Sequence, residues 1–378
     1  MKILICGYYG NQNLGDEAML AGMIQLLKKH SPDVSLSVLS DNPKYTAALH
    51  SIDPVEHPKP FRRRLGYTIE TLKNQSLILG GGDLLRDNID FSVAKSWLIF
   101  LERAIRLHRR TFVLGISVGE IWRQETKDII PLVLNKVDLI AVRDQNSKKI
   151  LKELGVSKDI YVMSDLALFG LPKSEKRSLP NSEKLRVGIS VRPLIGRGKS
   201  VDLGIYPQFQ QNVAAIADYL VEQHNAEVHF FPFHAFENKY HSSDDDYISA
   251  LEVLRYSRNS ENFVVHRYID SLEKLYFLIG QLDLMIGTRL HSLILAAGLG
   301  VPIIAAEYDP KIKGFMQEIK QDDLSIPLQD FNLAQLTGRI ETIFENLTGA
   351  RQKIVSEVES YQSRSSAFLD ILAAQLKN

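Results

Sequence analysis

Two runs of short apolar strands alternating with helical segments, parted by a polar stretch with prolines, predict an α/β protein. It should have two domains built on parallel sheets, then a helical C-terminus. Each run opens the same way, with an apolar strand (residues 2–6 and 186–191), a glycine-bearing loop and a helix. The length of 378 residues exceeds one ordinary core and makes two domains the expectation. The expected division is residues 1–172, a linker at 173–184, residues 185–345, and a helical tail at 346–378.

In the first domain, strands are expected at residues 2–6, 34–39, 76–79, 111–116, 139–142 and 160–163, with helices at 18–29 and after Asp144. In the second, strands are expected at 186–191, 228–231, 263–265, 282–286 and 301–305, with helices at 209–223 and 293–299. Residues 333–376 carry helical apolar spacing, with Ile340, Ile343, Phe344, Ile354, Val358, Tyr361, Phe368 and Leu372 on it.

Composition narrows the function classes. Lysine plus arginine and aspartate plus glutamate are 45 each, so no global field draws the protein to nucleic acid. The single cysteine, Cys6, falls in the first strand and reads as a small buried hydrophobe; a lone thiol suits the cytosol. The start of the chain meets a glycine turn too early for a signal peptide, and no apolar run is long enough for a spanning helix.

The chemistry-bearing residues sit where strands end. After the first strand, Gly10-x-Gln12-x-x-Gly15 holds glutamine where a dinucleotide fingerprint needs glycine, which disfavours a dinucleotide. The loop instead presents Asn13, Asp16 and Glu17, with helix capping as the plain alternative for Asn13 or Asp16. Gly80-Gly81-Gly82-Asp83 exposes backbone to a ligand's close approach. In the second domain, Arg192, Arg197 and Lys199 form a candidate anion clamp; Pro193 rules out a P-loop there. His234 ends another strand. It and Asp244-Asp245-Asp246 lack metal-ligand spacing, and no metal is expected. Gly287-Thr288-Arg289-Leu290-His291-Ser292 joins a strand to a helix. Thr288 is its expected N-cap, with Arg289 and His291 in a first turn that attracts anions.

Taken in order, seven motifs carry a resemblance. They are Tyr9-Gly10-Asn11-x-Asn13-Leu14-Gly15-Asp16-Glu17-Ala18, Gly80-Gly81-Gly82-Asp83, Val142-Arg143-Asp144, Ser164-Asp165, Ser190-Val191-Arg192, Phe233-His234 and Gly287-Thr288-Arg289-Leu290-His291. Together they resemble the polysaccharide pyruvyl transferase family, most closely its CsaB-type, cell-wall members, over about residues 3–320. The resemblance implies two Rossmann-like domains facing across a cleft, as in GT-B glycosyltransferases. It implies phosphoenolpyruvate as co-substrate with no further cofactor, and a sugar hydroxyl pair, on a polysaccharide or its lipid-linked precursor, as acceptor. Arg192, Arg289, Leu290 and His291 match its phosphoenolpyruvate-contacting positions. The second domain is then the donor side and the first the acceptor side. His291 is the expected acid and Asp16 or Glu17 the expected base, while Asn13, Gly81, Gly82, Asp83 and His234 are expected to bind substrate.

Two rivals remain: a nucleotide-sugar glycosyltransferase of the same fold, and a non-catalytic sugar- or anion-binding protein. A last feature concerns location. Arg62-Arg63-Arg64 lies between Phe61 and Leu65-Gly66-Tyr67, and Arg103, Arg106, Arg109 and Arg110 are expected on or near one side of a helix. Such basic and apolar residues suit peripheral contact with the anionic inner face of a membrane; a solvated surface is the alternative.

Overall fold

The computed structural model describes residues 1–58, 63–172, 184–194, 203–236 and 244–377, with the side chains of residues 63, 64, 203 and 377 left out. Most of the linker, Arg197 and Lys199, Arg62, and the side chains of Arg63 and Arg64 therefore lie outside the described residues. The chain divides into two compact units, Met1–Gly170 with Gln362–Asn378, and Leu171–Tyr361.

The first unit runs β1 (Lys2–Cys6), α1 (Leu14–His30), β2 (Ser35–Ser40), α2 (Pro43–His50), β3 (Asp53–Glu56), α3 (Arg63–Lys73), β4 (Ser76–Gly80) and α4 (Val93–Arg106). It continues with β5 (Arg110–Ile116), α5 (Gln124–Leu134), β6 (Leu139–Val142), α6 (Gln145–Glu153) and β7 (Tyr161–Val162). Its seven strands are all parallel, in the order β3-β2-β1-β4-β5-β6-β7. The central strands are continuous apolar runs because helices cover both faces: β4 and β6 are buried at every position.

The second unit runs β8 (Arg186–Ser190), α7 (Tyr206–His224), β9 (Glu227–Phe230), α8 (Asp246–Leu254), β10 (Phe263–Val265), α9 (Leu272–Gly280) and β11 (Leu284–Gly287). Then come α10 (Leu290–Gly298), β12 (Ile303–Glu307), α11 (Pro310–Glu318), β13 (Ser325–Pro327), α12 (Leu333–Glu345) and α13 (Leu347–Ser363). Its parallel sheet has the order β10-β9-β8-β11-β12-β13. Its core joins Val187, Ile189, Phe230, Leu284 and Ile286 to Phe209, Val213, Ile216 and Leu220 of α7.

Both sheets thus follow the doubly wound pattern expected from the sequence. In such a sheet the strand order reverses between two central strands, and the loops leaving their carboxyl ends part to make a crevice. That point lies between β1 and β4 in the first unit and between β8 and β11 in the second. The loops expected to carry chemistry leave these strands, joined by the turn after β9.

Three expectations need correction. Residues 346–378 do not form one tail: α13 as far as Tyr361 packs with the second unit, whereas α14 (Ser366–Lys377) belongs to the first. The cause is apolar burial, with Tyr361 meeting Phe315 at 6.1 Å and Phe368 meeting Tyr161 at 6.0 Å between ring centres. Arg110 is not on a helix with Arg103 and Arg106; it opens β5, stands 5.4 Å over the Phe112 ring and bonds Gln375. Thr288 does not cap α10, for a reason given below. Among the described residues no helix is long and apolar enough to cross a membrane.

Candidate functional site

In the second unit, strand register assembles the site. Gly287 of β11 pairs with Ser190 of β8, and Ile189 pairs with Phe230 of β9. The residues just beyond these pairs, Arg192, His234 and Arg289, therefore emerge together at the carboxyl ends of three adjacent strands. The Thr288 hydroxyl donates to the Ser190 carbonyl at 3.1 Å, and its amide donates to the same oxygen at 2.9 Å. Thr288 is spent on closing the strand ends, so the N-cap is Arg289. Leu290 and His291 become the first two helical residues, and the Ser292 hydroxyl bonds the Arg289 carbonyl at 2.6 Å. His291 is half-buried, whereas Arg192, His234 and Arg289 are buried.

Two aspartates face Arg192, His234 and Arg289. Arg289 Nε lies 3.0 and 2.9 Å from the two oxygens of Asp246, and its Nη2 also reaches that carboxylate. Arg289 Nη2 donates to Asp244 Oδ1 at 3.1 Å, and Arg192 Nη2 donates to the same oxygen at 3.3 Å. His234 Nδ1 stands 3.2 Å from Asp244 Oδ2. Arg192 Nη1 donates to the Tyr308 hydroxyl at 2.6 Å, with the guanidinium carbon 4.9 Å from that ring's centre. Burial, and after it the like charge of Arg289, hold the Arg192 guanidinium below its usual range, against an opposite pull from Tyr308 and Asp246. Two guanidinium groups lie this close at the end of a parallel sheet, each facing a carboxylate.

The switch point of the first unit is built differently. Asn13 caps α1, its side chain accepting the Gly15 amide at 3.1 Å. Glu17 is 0% exposed; it accepts the Gly10 amide at 2.8 Å with one oxygen and meets His50 Nε2 at 2.8 Å with the other. From there it orders the loop. Asp16, in the same turn, sits against the glycine loop after β4: a Cβ on Gly82 would stand 3.0 Å from Asp16 Oδ1, and one on Gly81 would stand 3.0 Å from the Tyr9 hydroxyl. Both glycines have left-handed φ, 71° and 80°, so a side chain there would be strained by conformation and would crowd its neighbour. Tyr9 donates to the Gly80 carbonyl at 2.5 Å, and burial, then Asp16 and Glu17, push its phenol up, so it stays a donor. Asp83 lies 3.7 Å from Arg86 Nε. The structure thus gathers Asp16, Gly81, Gly82 and Asp83 at one sheet end, with Asn13 and Glu17 engaged in holding the loop.

Sequence reading missed Asp244, Asp246 and Tyr308 as site residues. The aspartate run is visible in the sequence, where its spacing bears only on a metal. Its better signal is acidic residues before an apolar helix, since Asp245 caps α8 by accepting the Tyr247 amide at 2.9 Å. Among the described residues no three His, Cys, Asp or Glu side chains are grouped to hold a metal ion.

Comparison with known proteins gives the chemistry its family. The model of the polysaccharide pyruvyl transferase family matches residues 13–310, well over half of the chain. The chain belongs to the polysaccharide pyruvyl transferase family. The amylovoran biosynthesis protein AmsJ of Erwinia amylovora is 21% identical, the match covering 95% of this chain and 96% of that one. The CsaB-type branch is left unmarked by these matches. Solved structures share the fold. A putative UDP-N-acetylglucosamine 2-epimerase from Listeria monocytogenes has a TM-score of 0.63 at 11% identity, over 97% of this chain and 93% of the other. A glycosyltransferase from Rickettsia africae has 0.61 at 11% identity, over 100% and 98%. The α/β fold class expected from the sequence is therefore the one found.

Proposed function

We propose that this pyruvyl transferase family member takes phosphoenolpyruvate as donor and forms a pyruvate ketal on a sugar of a surface or cell-wall polysaccharide, or on its lipid-linked precursor. The observation that carries this is Arg192, Arg289, His234 and His291 converging at the carboxyl ends of β8, β9 and β11, within the family match. Phosphoenolpyruvate carries a carboxylate and a phosphate, which call for guanidinium forks and a helix N-terminus. His291 delivers a proton to the methylene carbon, a sugar hydroxyl oxygen bonds to the central carbon, and a base takes that hydroxyl's proton. The bond to the phosphate oxygen then breaks, inorganic phosphate leaves with its electron pair, and a second sugar hydroxyl closes the ketal and gives up its proton. With Glu17 committed to Gly10 and His50, Asp16 of the first unit is the candidate base.

The test is His291→Gln, followed by phosphate release and by donor calorimetry. Turnover should fall by about 10²–10⁴-fold, the usual worth of a general acid, with donor binding kept. A variant that keeps most of its turnover removes His291 from this role. Because proteins of this fold include enzymes described as acting on UDP-sugars, UDP-N-acetylglucosamine belongs in the same assay as rival donor.

A lipid-linked acceptor would bring the enzyme to an anionic membrane. The helix α3 supports this contact: Leu65, Ile69 and Leu72 are exposed along one stripe, directly after Arg62-Arg63-Arg64 in sequence. Co-sedimentation with anionic liposomes should appear at low salt, weaken with added salt, and drop when the three arginines become glutamine. Wild-type protein left in the supernatant at low salt would remove this contact.

A further inference from the structure

Asp244 and Asp246 hold the same arginine in different ways. Asp246 has a side chain 0% exposed and, besides Arg289, accepts the amides of Phe233 at 2.9 Å and His234 at 3.0 Å. Its own amide donates to the His234 carbonyl at 2.9 Å. It is a fixed counter-ion, tied to the strand end and to the helix it begins. The Asp244 side chain is 13% exposed and shares Arg289 Nη2 with Asp246; Arg289 Nη2, Arg192 Nη2 and His234 Nδ1 lie 3.1, 3.3 and 3.2 Å from its carboxylate. Two donating arginines, with an imidazole nitrogen close by, surround this planar carboxylate as they would surround a small carboxylic acid.

We propose that the carboxylate of Asp244 occupies the seat of the ligand's own carboxylate, and that a bound donor takes its place against Arg192, Arg289 and His234. The proposal deepens the donor reading above and rests on it for the identity of the ligand. Two ionised carboxylates cannot occupy this one seat at contact distance, so the ligand binds fully only in molecules whose Asp244 has turned away. If that is about one molecule in ten, removing the internal occupant tightens the ligand about tenfold.

The experiment titrates wild type, Asp244→Asn, Asp244→Glu and Asp246→Asn with phosphoenolpyruvate, pyruvate and inorganic phosphate by calorimetry, beside thermal melts. Pyruvate has the carboxylate without the phosphate, and phosphate is the reverse. Asp244→Asn should bind phosphoenolpyruvate and pyruvate about tenfold tighter with a smaller change for phosphate, because only the carboxylate seat is vacated. Asp244→Glu, which keeps the charge, should show no gain, and Asp246→Asn should weaken all three ligands. Weaker pyruvate binding by Asp244→Asn, equal gains for pyruvate and phosphate, or no pyruvate binding by any protein would each overturn the seat. The donor reading is separable: tighter pyruvate binding without phosphoenolpyruvate consumption leaves the seat and removes the donor. Phosphoenolpyruvate turnover without tighter binding does the opposite.

Discussion

The two units share a strand order through their first six strands and place their loops at the same topological point, yet they use charged side chains in opposite ways. In the first unit, carboxylates are turned inward on the protein's own loops. Glu17 serves Gly10 and His50; Asp165 binds Arg143 at 2.8 Å and the Ala167 amide at 2.9 Å. Asp87 accepts the amides of Trp122 and Arg123 at 2.9 and 2.8 Å and the Thr126 hydroxyl at 2.6 Å. Burial pushes the Asp87 carboxyl up, but these hydrogen bonds outweigh it and hold the group low. In the second unit, cations gather at the strand ends with aspartates around them. Topology fixes where a site can lie; side-chain charge decides whether it is a rigid wall or a seat for an anion.

The strongest way to break this contrast is Arg289→Ala. It should abolish donor binding and cut turnover by at least about 10²-fold, as loss of a buried anion donor does. It should also cost about 3 kcal/mol of stability, because Asp246 stays buried without its partner. Arg289→Lys separates the two effects, since it keeps charge but loses the fork held by Asp246. Near-normal donor kinetics in Arg289→Ala and Arg192→Ala would end the anion-site assignment.

Glu17→Ala sharpens the other half. Removing the buried carboxylate that accepts the Gly10 amide and meets His50 should cost about 1–3 kcal/mol, read as a lowered denaturation midpoint. Asp16→Asn, which keeps size and polarity, should cost less stability than Glu17→Ala, about 1 kcal/mol, while lowering turnover. The reverse pattern would make Glu17 the base.

Much of this was legible locally, and the part that was not has physical reasons. Apolar runs such as residues 76–79 and 139–142 announce parallel strands because helices bury both faces. The edge strands β3 and β13 escaped notice. Each is short and carries a proline, Pro54 and Pro327, tolerated only where a neighbouring strand is missing on one side. Thr288 looked like a cap because its residue type favours one; its hydroxyl is instead committed to Ser190, a partner 98 positions away. Asp244 and Asp246 reach Arg289 across more than forty positions, beyond any local pattern.

The smallest expected effect concerns acid. Burial, then the neighbouring His229 and Lys274, bring His266 down to about 4 from its ordinary 6.5. Its ring stacks on His229 with centres 5.5 Å apart. The unfolded chain therefore takes up a proton that the folded one refuses, so stability falls as pH drops from 6.5 towards 4. His266→Gln should remove a part of that loss, about 1 kcal/mol after allowance for partial exposure, seen as a shallower fall of the melting temperature between those pH values. An unchanged slope would place the acid sensitivity elsewhere.

We propose that the second unit handles the anionic donor of a pyruvyl transfer. The most direct test is phosphate release from phosphoenolpyruvate by the full chain, with a panel of lipid-linked and aryl β-linked N-acetylhexosamines and UDP-N-acetylglucosamine as a parallel donor. Acceptor-dependent phosphate release and a product heavier by one pyruvate ketal are expected, both lost in Arg289→Ala. Consumption of the UDP-sugar with phosphoenolpyruvate untouched would contradict this proposal.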